Sequence, residues 1–418
     1  MIEQVASKQN DLKKVNDLKK VNDPEQDGCS RLEISLGNCL KNYKYFRSKL
    51  SPTTALLVLV KANAYGHGAV RFASMMEQAG ADYLAVAYPI EGVELRRGGI
   101  RGRIVILTPG TDLRRRTIEE MLEKELEPSI PNMFTLKAFC EVMKDNQTKD
   151  NQMTKDNQMT KGNQMTKGNQ MRKYPIHIKL DTGMHRVGFM TSELDELIMY
   201  LLKCPFVAVA SVFSHLAASE DPKSDDYTIA QIKMFEKNAN MLSKGLCYRP
   251  IYHILNSAGI ERFPQYQYDM VRLGIGIYGI SAIPTIELAP VASLKCKILQ
   301  IKHLTAQDGT VGYGRRGQLA PEGTVVATIP IGYADGIDRR LGNGNCSFIL
   351  NGKRVPTLGN ICMDMCMLDI TGVQAQVGDT VCVFGDSPKV SELADVLGTI
   401  SYEIFTSVSH RIERVTVE

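Results

Sequence analysis

One lysine stands where its surroundings would change its chemistry. Lys61 ends the apolar run Ala55-Leu56-Leu57-Val58-Leu59-Val60, and small residues, glycines and Tyr65 follow it. Such a run after Ser51-Pro52-Thr53-Thr54 reads as a buried strand. A lysine at the mouth of that strand is poorly hydrated, which favours its neutral amine. A neutral amine can condense with an aldehyde to a Schiff base. The position also suits a surface lysine that caps the strand, and position alone favours that plainer reading.

Polar groups recur at the ends of later apolar runs. Asp181-Thr182-Gly183-Met184-His185-Arg186 closes 175–181, His215 follows 206–213, and Asn256-Ser257 follows 251–255. Arg272 ends 269–273, ahead of Gly274-Ile275-Gly276. A phosphate needs N–H donors, hydroxyls and backbone that permits close approach. Tyr65, Ser257, Gly274 and Ile275 offer these. The string Gly274-Ile275-Gly276-Ile277-Tyr278-Gly279 matches a dinucleotide motif, but it follows the last strand of its series and Pro284 soon interrupts any helix. Its glycines are read as admitting one phosphate. Plainer roles stay open: His215 as a core histidine, Ser257 as a helix N-cap, Tyr313 as loop packing, Arg186 as an ion-pair partner of Asp181.

The elements that must position these groups alternate. Strand candidates lie at 56–60, 82–88, 103–107, 126–130, 175–181, 206–213, 251–255 and 269–273, with helical patterns between them. That count over residues 31–283 predicts an α/β (β/α)8 barrel, whose sites lie at the C-terminal ends of its strands. A doubly wound sheet is the alternative. After Pro284 short alternating runs separated by Asp308-Gly309, Asn343-Gly344, Asn351-Gly352 and Gly378-Asp379 predict a mostly antiparallel β-domain over 284–418. Residues 1–30 read as a solvated tail carrying a hexapeptide repeat at 10–23, and 144–171 as a low-complexity insertion in one connection.

The bulk numbers bound the rest. With 44% hydrophobic and 23% charged residues the chain is an ordinary globular protein, and a net charge of +4 gives no reason to expect nucleic acid. No apolar stretch approaches the roughly 20 residues that span a bilayer, and Met1-Ile2-Glu3-Gln4 lacks the apolar core of a signal peptide. The 10 cysteines show no paired C-x-x-C spacing, so they read as reduced thiols in a cytoplasmic protein without a zinc site.

The string VLVKANAYGHGA at 58–69 resembles the cofactor attachment segment of the alanine racemase family. So do KLDTGMHRVG at 179–188, NSAG at 256–259, VRLGIGIYG at 271–279, VGYG at 311–314, IPIGYADG at 329–336, ICMD at 361–364 and ISYEI at 400–404. The resemblance implies pyridoxal phosphate on Lys61, its phosphate among Tyr65, Ser257, Gly274, Ile275 and Tyr402, its ring nitrogen against Arg272, and His215 beside the ring. It implies that His253 orients Arg272, and that Lys179 is open to carbamylation. It further implies a homodimer in which Tyr313, from the other chain, is the second acid/base. Arg186 and Met363, the latter also from the partner, would meet the substrate carboxylate. His185 replaces a small residue usual in the family. The expected activity is interconversion of L- and D-alanine, supplying D-alanine for peptidoglycan. The alternatives are a pyridoxal phosphate racemase of another amino acid such as serine, a related decarboxylase, and a cofactor carrier without turnover. Arg272 disfavours the decarboxylase, because that class pairs the ring nitrogen with a carboxylate.

Overall fold

The computed structural model describes residues 29–110, 114–160 and 173–417. Its larger unit is a ring of eight parallel strands. They are β2 (Ala55–Leu59), β3 (Tyr83–Val86), β4 (Arg103–Ile106), β5 (Leu126–Ile130), β6 (Tyr174–Lys179), β7 (Val207–Phe213), β8 (Ile251–His253) and β9 (Met270–Leu273). They pair in sequence order from β2 to β8, and β9 returns beside β2. Hydrogen bonds from Asp269 N to Tyr252 O at 3.3 Å and from Arg272 N to Leu255 O at 3.0 Å close the ring between β8 and β9. Every strand predicted for the barrel is present, the short 126–130 run included.

Helices cover the outside because their sequences carry apolar residues on one face. Leu194–Lys203 buries Leu194, Leu197 and Leu201, and Asp225–Leu246 buries Ile232, Phe235, Ala239 and Leu242, both at the 3.6-residue period. Each such side chain contributes about 1.5–3 kcal/mol on leaving water.

The second unit holds an antiparallel three-stranded sheet and a six-stranded sheet. The six-stranded sheet contains β10 (Ala292–Lys297), Ser347–Leu350, Lys353–Pro356 and Thr380–Phe384, and it takes in both ends of the described chain. β1 (Ser30–Ser35) pairs antiparallel with β10 and parallel with Glu413–Val417. A start of the barrel unit at residue 31 therefore needs correction, since 31–35 form a strand of the other unit. The alternation of β1 shows that it is a strand and not which sheet it joins. The chain passes from the six-stranded to the three-stranded sheet at Ile298-Leu299, between β10 and Gln300–Leu304.

Two further expectations change. The repeat region does not begin as a loop at 144, because helix Met133–Thr160 continues through its Asp-containing copies. The first part of that helix is anchored by buried Leu136, Phe139, Cys140 and Met143. Once a helix is nucleated, each added Lys, Gln or Met costs little. The Gly-containing copies, and the repeat at 10–23, lie outside the described residues. Nor are all thiols reduced: Cys140, in helix Met133–Thr160, and Cys204, just past the end of helix Leu194–Lys203, form a disulfide across 64 residues that no spacing announces. The other eight cysteines are free.

Candidate active site

Lys61 leaves β2 into a turn of unusual hand. Ala62, Asn63, Ala64 and Tyr65 all have φ between 51° and 55°, and Gly66 follows at 84°. Left-handed backbone costs roughly 1–2 kcal/mol at each residue with a Cβ, so the surroundings must hold it. Within the turn, Ala64 N donates to Val60 O and Gly66 N to Ala62 O, both at 2.9 Å. His67 Nδ1 donates to Ala64 O at 3.0 Å and to Tyr65 O at 2.8 Å. Glu91 accepts from Ala62 N at 2.6 Å and from Ala87 N and Tyr88 N at 2.7 and 2.9 Å. The turn holds Lys61 half-buried at the C-terminal mouth of the barrel and swings Tyr65 inward. Burial, then the charge of Arg186, lowers the Lys61 ammonium from its ordinary value. His67 and Glu91 had no role in the sequence reading, although Glu91 stands three residues after Tyr88, where a first-turn carboxylate caps a helix.

Two hydroxyls meet over Gly274. A Cβ there would lie 3.0 Å from Tyr65 Oη and 3.8 Å from Ser257 Oγ. Ser257 Oγ accepts from Gly274 N at 2.9 Å and Gly276 N at 3.2 Å, which leaves its own hydrogen to donate outward. Ile275 follows at the same turn, and the Tyr402 ring lies 5.7 Å from that of Tyr65. Burial and Glu220 push the Tyr402 phenol up to about 12, keeping it a donor. These groups form a cradle of hydroxyls and close backbone over Gly274. Gly276 serves another end, because a Cβ there would meet the Phe46 ring at 2.3 Å. Of the two glycines only Gly274 faces the cradle.

Arg272 is buried within the barrel. Its Nη1 donates to His253 Nδ1 at 2.9 Å and His253 O at 3.3 Å. Nη2 reaches Ser214 O at 2.6 Å, Ile254 O at 2.9 Å and His215 Nδ1 at 3.2 Å. The Nε–H donor is left without a partner among the described residues. Burial pulls Arg272 down to about 9, still protonated at neutral pH. His215 is held well below the ordinary imidazole value by burial and then by Arg272, so it stands neutral. Phe213 supports the group: its ring stacks on His253 at 4.9 Å, with Arg272 at 5.5 Å and Lys179 at 5.0 Å from its centroid. Burial, Arg272 and Arg186 drive Lys179 well below an ordinary lysine.

Arg186 is exposed beside this cluster, and Asp181 is not its partner. Asp181 accepts from the N–H groups of Gly183 and His185 at 3.0 Å each. His185 has φ 51°, a value that favours glycine, and this explains the small residue expected there.

Lys61, Tyr65, Arg186, His215, Ser257, Arg272, Gly274, Ile275 and Tyr402 thus gather at one mouth, a positively charged pocket suited to a phosphate and a carboxylate. Tyr313 and Met363 do not join them within the chain. Tyr313 is 71% exposed on the β-unit, where Tyr333, Arg339, Ile361 and Cys362 line a cleft of about 370 Å³ with it. Met363 is 53% exposed.

Comparison with known proteins gives one family along most of the chain. A family model described as alanine racemase, N-terminal domain, matches residues 34–282, and one described as alanine racemase, C-terminal domain, matches 291–416. The chain is 34% identical over 399 residues to alanine racemase 1 of Clostridium acetobutylicum, covering 92% of this chain and 95% of that one. It is 34% identical over 396 residues to alanine racemase of Synechocystis, with 92% and 98% covered. Among solved structures, alanine racemase of Clostridium difficile superposes with a TM-score of 0.80 at 30% identity, covering 94% of this chain and 96% of that one. The Bartonella henselae alanine racemase, solved with covalently bound pyridoxal phosphate, gives 0.76 at 26% identity, with 93% and 100% covered.

Proposed function

The chain belongs to the alanine racemase family and interconverts L-alanine and D-alanine, and from that premise we propose how its side chains divide the work. The carrying observation is one mouth at which the Lys61 amine, the free Nε–H of Arg272 and the cradle over Gly274 converge. Pyridoxal phosphate fits that set: an amine for its aldehyde, two hydroxyls and open backbone for its phosphate, a donor for its ring nitrogen. Bound there, it supplies an electron sink that acidifies the α-hydrogen of the amino acid.

The chain's own groups then handle one proton. Lys61 Nζ takes it from, or returns it to, one face of Cα, and its lowered proton affinity suits it to act as a base. Tyr313 Oη does the same on the opposite face, supplied by a second copy of the chain. The exposure of Tyr313 and Met363, away from the Lys61 mouth, supports that homodimer. Arg186, with no carboxylate partner among the described residues, receives the substrate carboxylate. Arg272 is always a donor toward the ring nitrogen. Toward a bound cofactor it would offer a hydrogen bond without a transferable proton, which would weaken the electron sink and disfavour transamination. Lys179, a buried amine whose proton affinity burial, Arg272 and Arg186 lower, suits carbamylation, which would turn it into an anion facing Arg186. In this division the barrel unit within 31–283 holds the cofactor and the unit 284–418 supplies the second base.

Among the described residues no helix is long and apolar enough to cross a membrane. With eight free thiols this supports a cytoplasmic enzyme that supplies D-alanine for peptidoglycan. Chiral chromatography of L-alanine incubated with the protein and pyridoxal phosphate tests the reading. D-alanine in wild type, and its loss in Lys61→Ala, is the expected result; undiminished product from Lys61→Ala would overturn the assignment.

A further inference from the structure

The inside of a (β/α)8 barrel is ordinarily filled by layers of branched apolar side chains. Here five consecutive strands place polar groups inside and join them. From β9 to β5 the chain of contacts runs Arg272 Nη1 to His253 Nδ1 at 2.9 Å, and His253 Nε2 to Ser211 Oγ at 2.9 Å. It continues from Ser211 Oγ to His177 Nδ1 at 2.6 Å and from His177 Nε2 to Glu127 Oε2 at 2.9 Å. His253, Ser211 and His177 are each at most 1% exposed, and Glu127 is 6% exposed. On β4, Arg103 closes the row with bonds to both Glu127 oxygens at 2.7 and 2.9 Å.

The direction of these bonds is set at both ends. A guanidinium only donates, so His253 Nδ1 must accept, and the hydrogen of that neutral ring sits on Nε2. A carboxylate only accepts, so His177 Nε2 must donate. Ser211 then receives from His253 and gives its own hydrogen to His177. Every bond donates toward Glu127, and chains aligned in this way polarise one another. Among the described residues Arg272 has no carboxylate neighbour of its own; Glu127 is the buried anion to which its bonds lead. A buried ion pair is weak evidence for stability, and apolar residues of similar volume often serve better, so the row calls for another explanation.

We infer that Glu127, acting through His177 and Ser211, is a positioning residue for racemisation: the row holds the His253 Nε2–H, keeps the ring turned with Nδ1 toward Arg272, and so keeps the Arg272 Nε–H in aim. The inference rests on the proposed role of Arg272 at the cofactor ring nitrogen. Burial would raise the Glu127 carboxyl, but the bonds from His177 and Arg103 outweigh it and keep the group ionised.

The test uses the full chain, with and without pyridoxal phosphate, as wild type, Ser211→Ala and Glu127→Gln. Histidine nitrogen NMR, which needs no cofactor, should show His253 and His177 each as a single Nε2–H tautomer in wild type. Ser211→Ala should keep that tautomer, which Arg272 fixes, but leave the His253 Nε2–H without its acceptor, so that its resonance loses the hydrogen-bonded shift and exchanges faster with water. In the loaded enzyme kcat should fall about tenfold, within the range for groups that orient a catalytic residue, with KM for alanine little changed. Pyruvate formed per D-alanine should rise several-fold as the ring nitrogen loses its fixed donor. Glu127→Gln, which keeps an acceptor but not the charge, should shift the same quantities less. An unchanged His253 Nε2–H resonance and exchange rate in both variants would overturn the inference. So would a lower kcat with an unaltered pyruvate ratio, the mark of a structural role alone. Loss of D-alanine formation in wild type itself would strike the underlying reading, and the His253 Nε2–H resonance would still report on the relay.

Discussion

Four consecutive residues with positive φ after Lys61 are a local conformation that its own sequence disfavours, since Ala62, Asn63, Ala64 and Tyr65 all carry a Cβ. Their purpose is spatial: they place the Lys61 amine and the Tyr65 hydroxyl at one mouth. The same scale decides what each acid and base does. Lys61→Ala should lower racemisation by about 10³-fold, the range of a lost general base. Tyr313→Phe should abolish racemisation yet leave Lys61 able to exchange the α-hydrogen of one enantiomer only. Deuterium uptake from D2O into L- and D-alanine, followed separately, checks this, and equal uptake into both would refute the two-face division. Gly274→Ala should weaken pyridoxal phosphate binding by about tenfold, or 1.4 kcal/mol, because the added methyl meets Tyr65 Oη. Absorbance titration of the cofactor measures it. Arg272→Glu should gain transamination while losing racemisation, read as pyruvate per D-alanine; unchanged partitioning would contradict the role given to the arginine.

The strands and helices convert those local choices into stability. Glu127 belongs to this scale as well, since it ties β5 to β4 through Arg103 and to β6 through His177. Its carboxyl lies below the ordinary value in the fold, so its contribution is complete above the unfolded value of about 4.3 and is lost as pH falls through the folded value. Glu127→Gln should therefore be less stable than wild type by about 3 kcal/mol at pH 7, the scale of a broken buried pair. Urea unfolding as a function of pH should show that gap closing below about pH 4. Gly276→Ala offers a contrast to Gly274→Ala. Its methyl would enter the Phe46 ring, so it should lower stability by about 1–3 kcal/mol through overpacking. The spacing of strands and helices was legible at this scale because burial of one face imposes periods of 2 and 3.6 on the residues. The continuation of Met133–Thr160 into the repeats was not, because a polar helix that extends an anchored one leaves no periodic trace.

At the scale of the whole molecule Tyr313, the proposed second base, lies exposed and apart from the Lys61 mouth. Isologous pairing of two copies would bring the two together twice. Co-expression of Lys61→Ala with Tyr313→Phe then has a definite outcome. Half of randomly paired dimers are mixed, and each mixed dimer carries one intact site, so activity should return to about a quarter of wild type. Recovery no greater than the sum of the two variants alone would place both bases in one chain. The β1 strand shows a related economy of connection, since both ends of the described chain enter one six-stranded sheet and tie the β-unit to the barrel it follows.

Residue types and their local order determined by themselves the eight-strand barrel, the β-unit behind it and the lysine at the first strand end. Burial periodicity and strand-end placement are short-range properties that survive in one dimension. Sequence order also named the groups around Lys61, through strings whose likeness to a family is a likeness of order. Only the tertiary structure decided what touches what. That His253 reaches Glu127 through Ser211 and His177, that Gly274 and not Gly276 opens onto the cradle, and that Cys140 meets Cys204 all depend on inter-strand register and helix packing between distant segments. No local pattern encodes these contacts, because each partner alone is an ordinary core residue and gains its role only when the barrel closes.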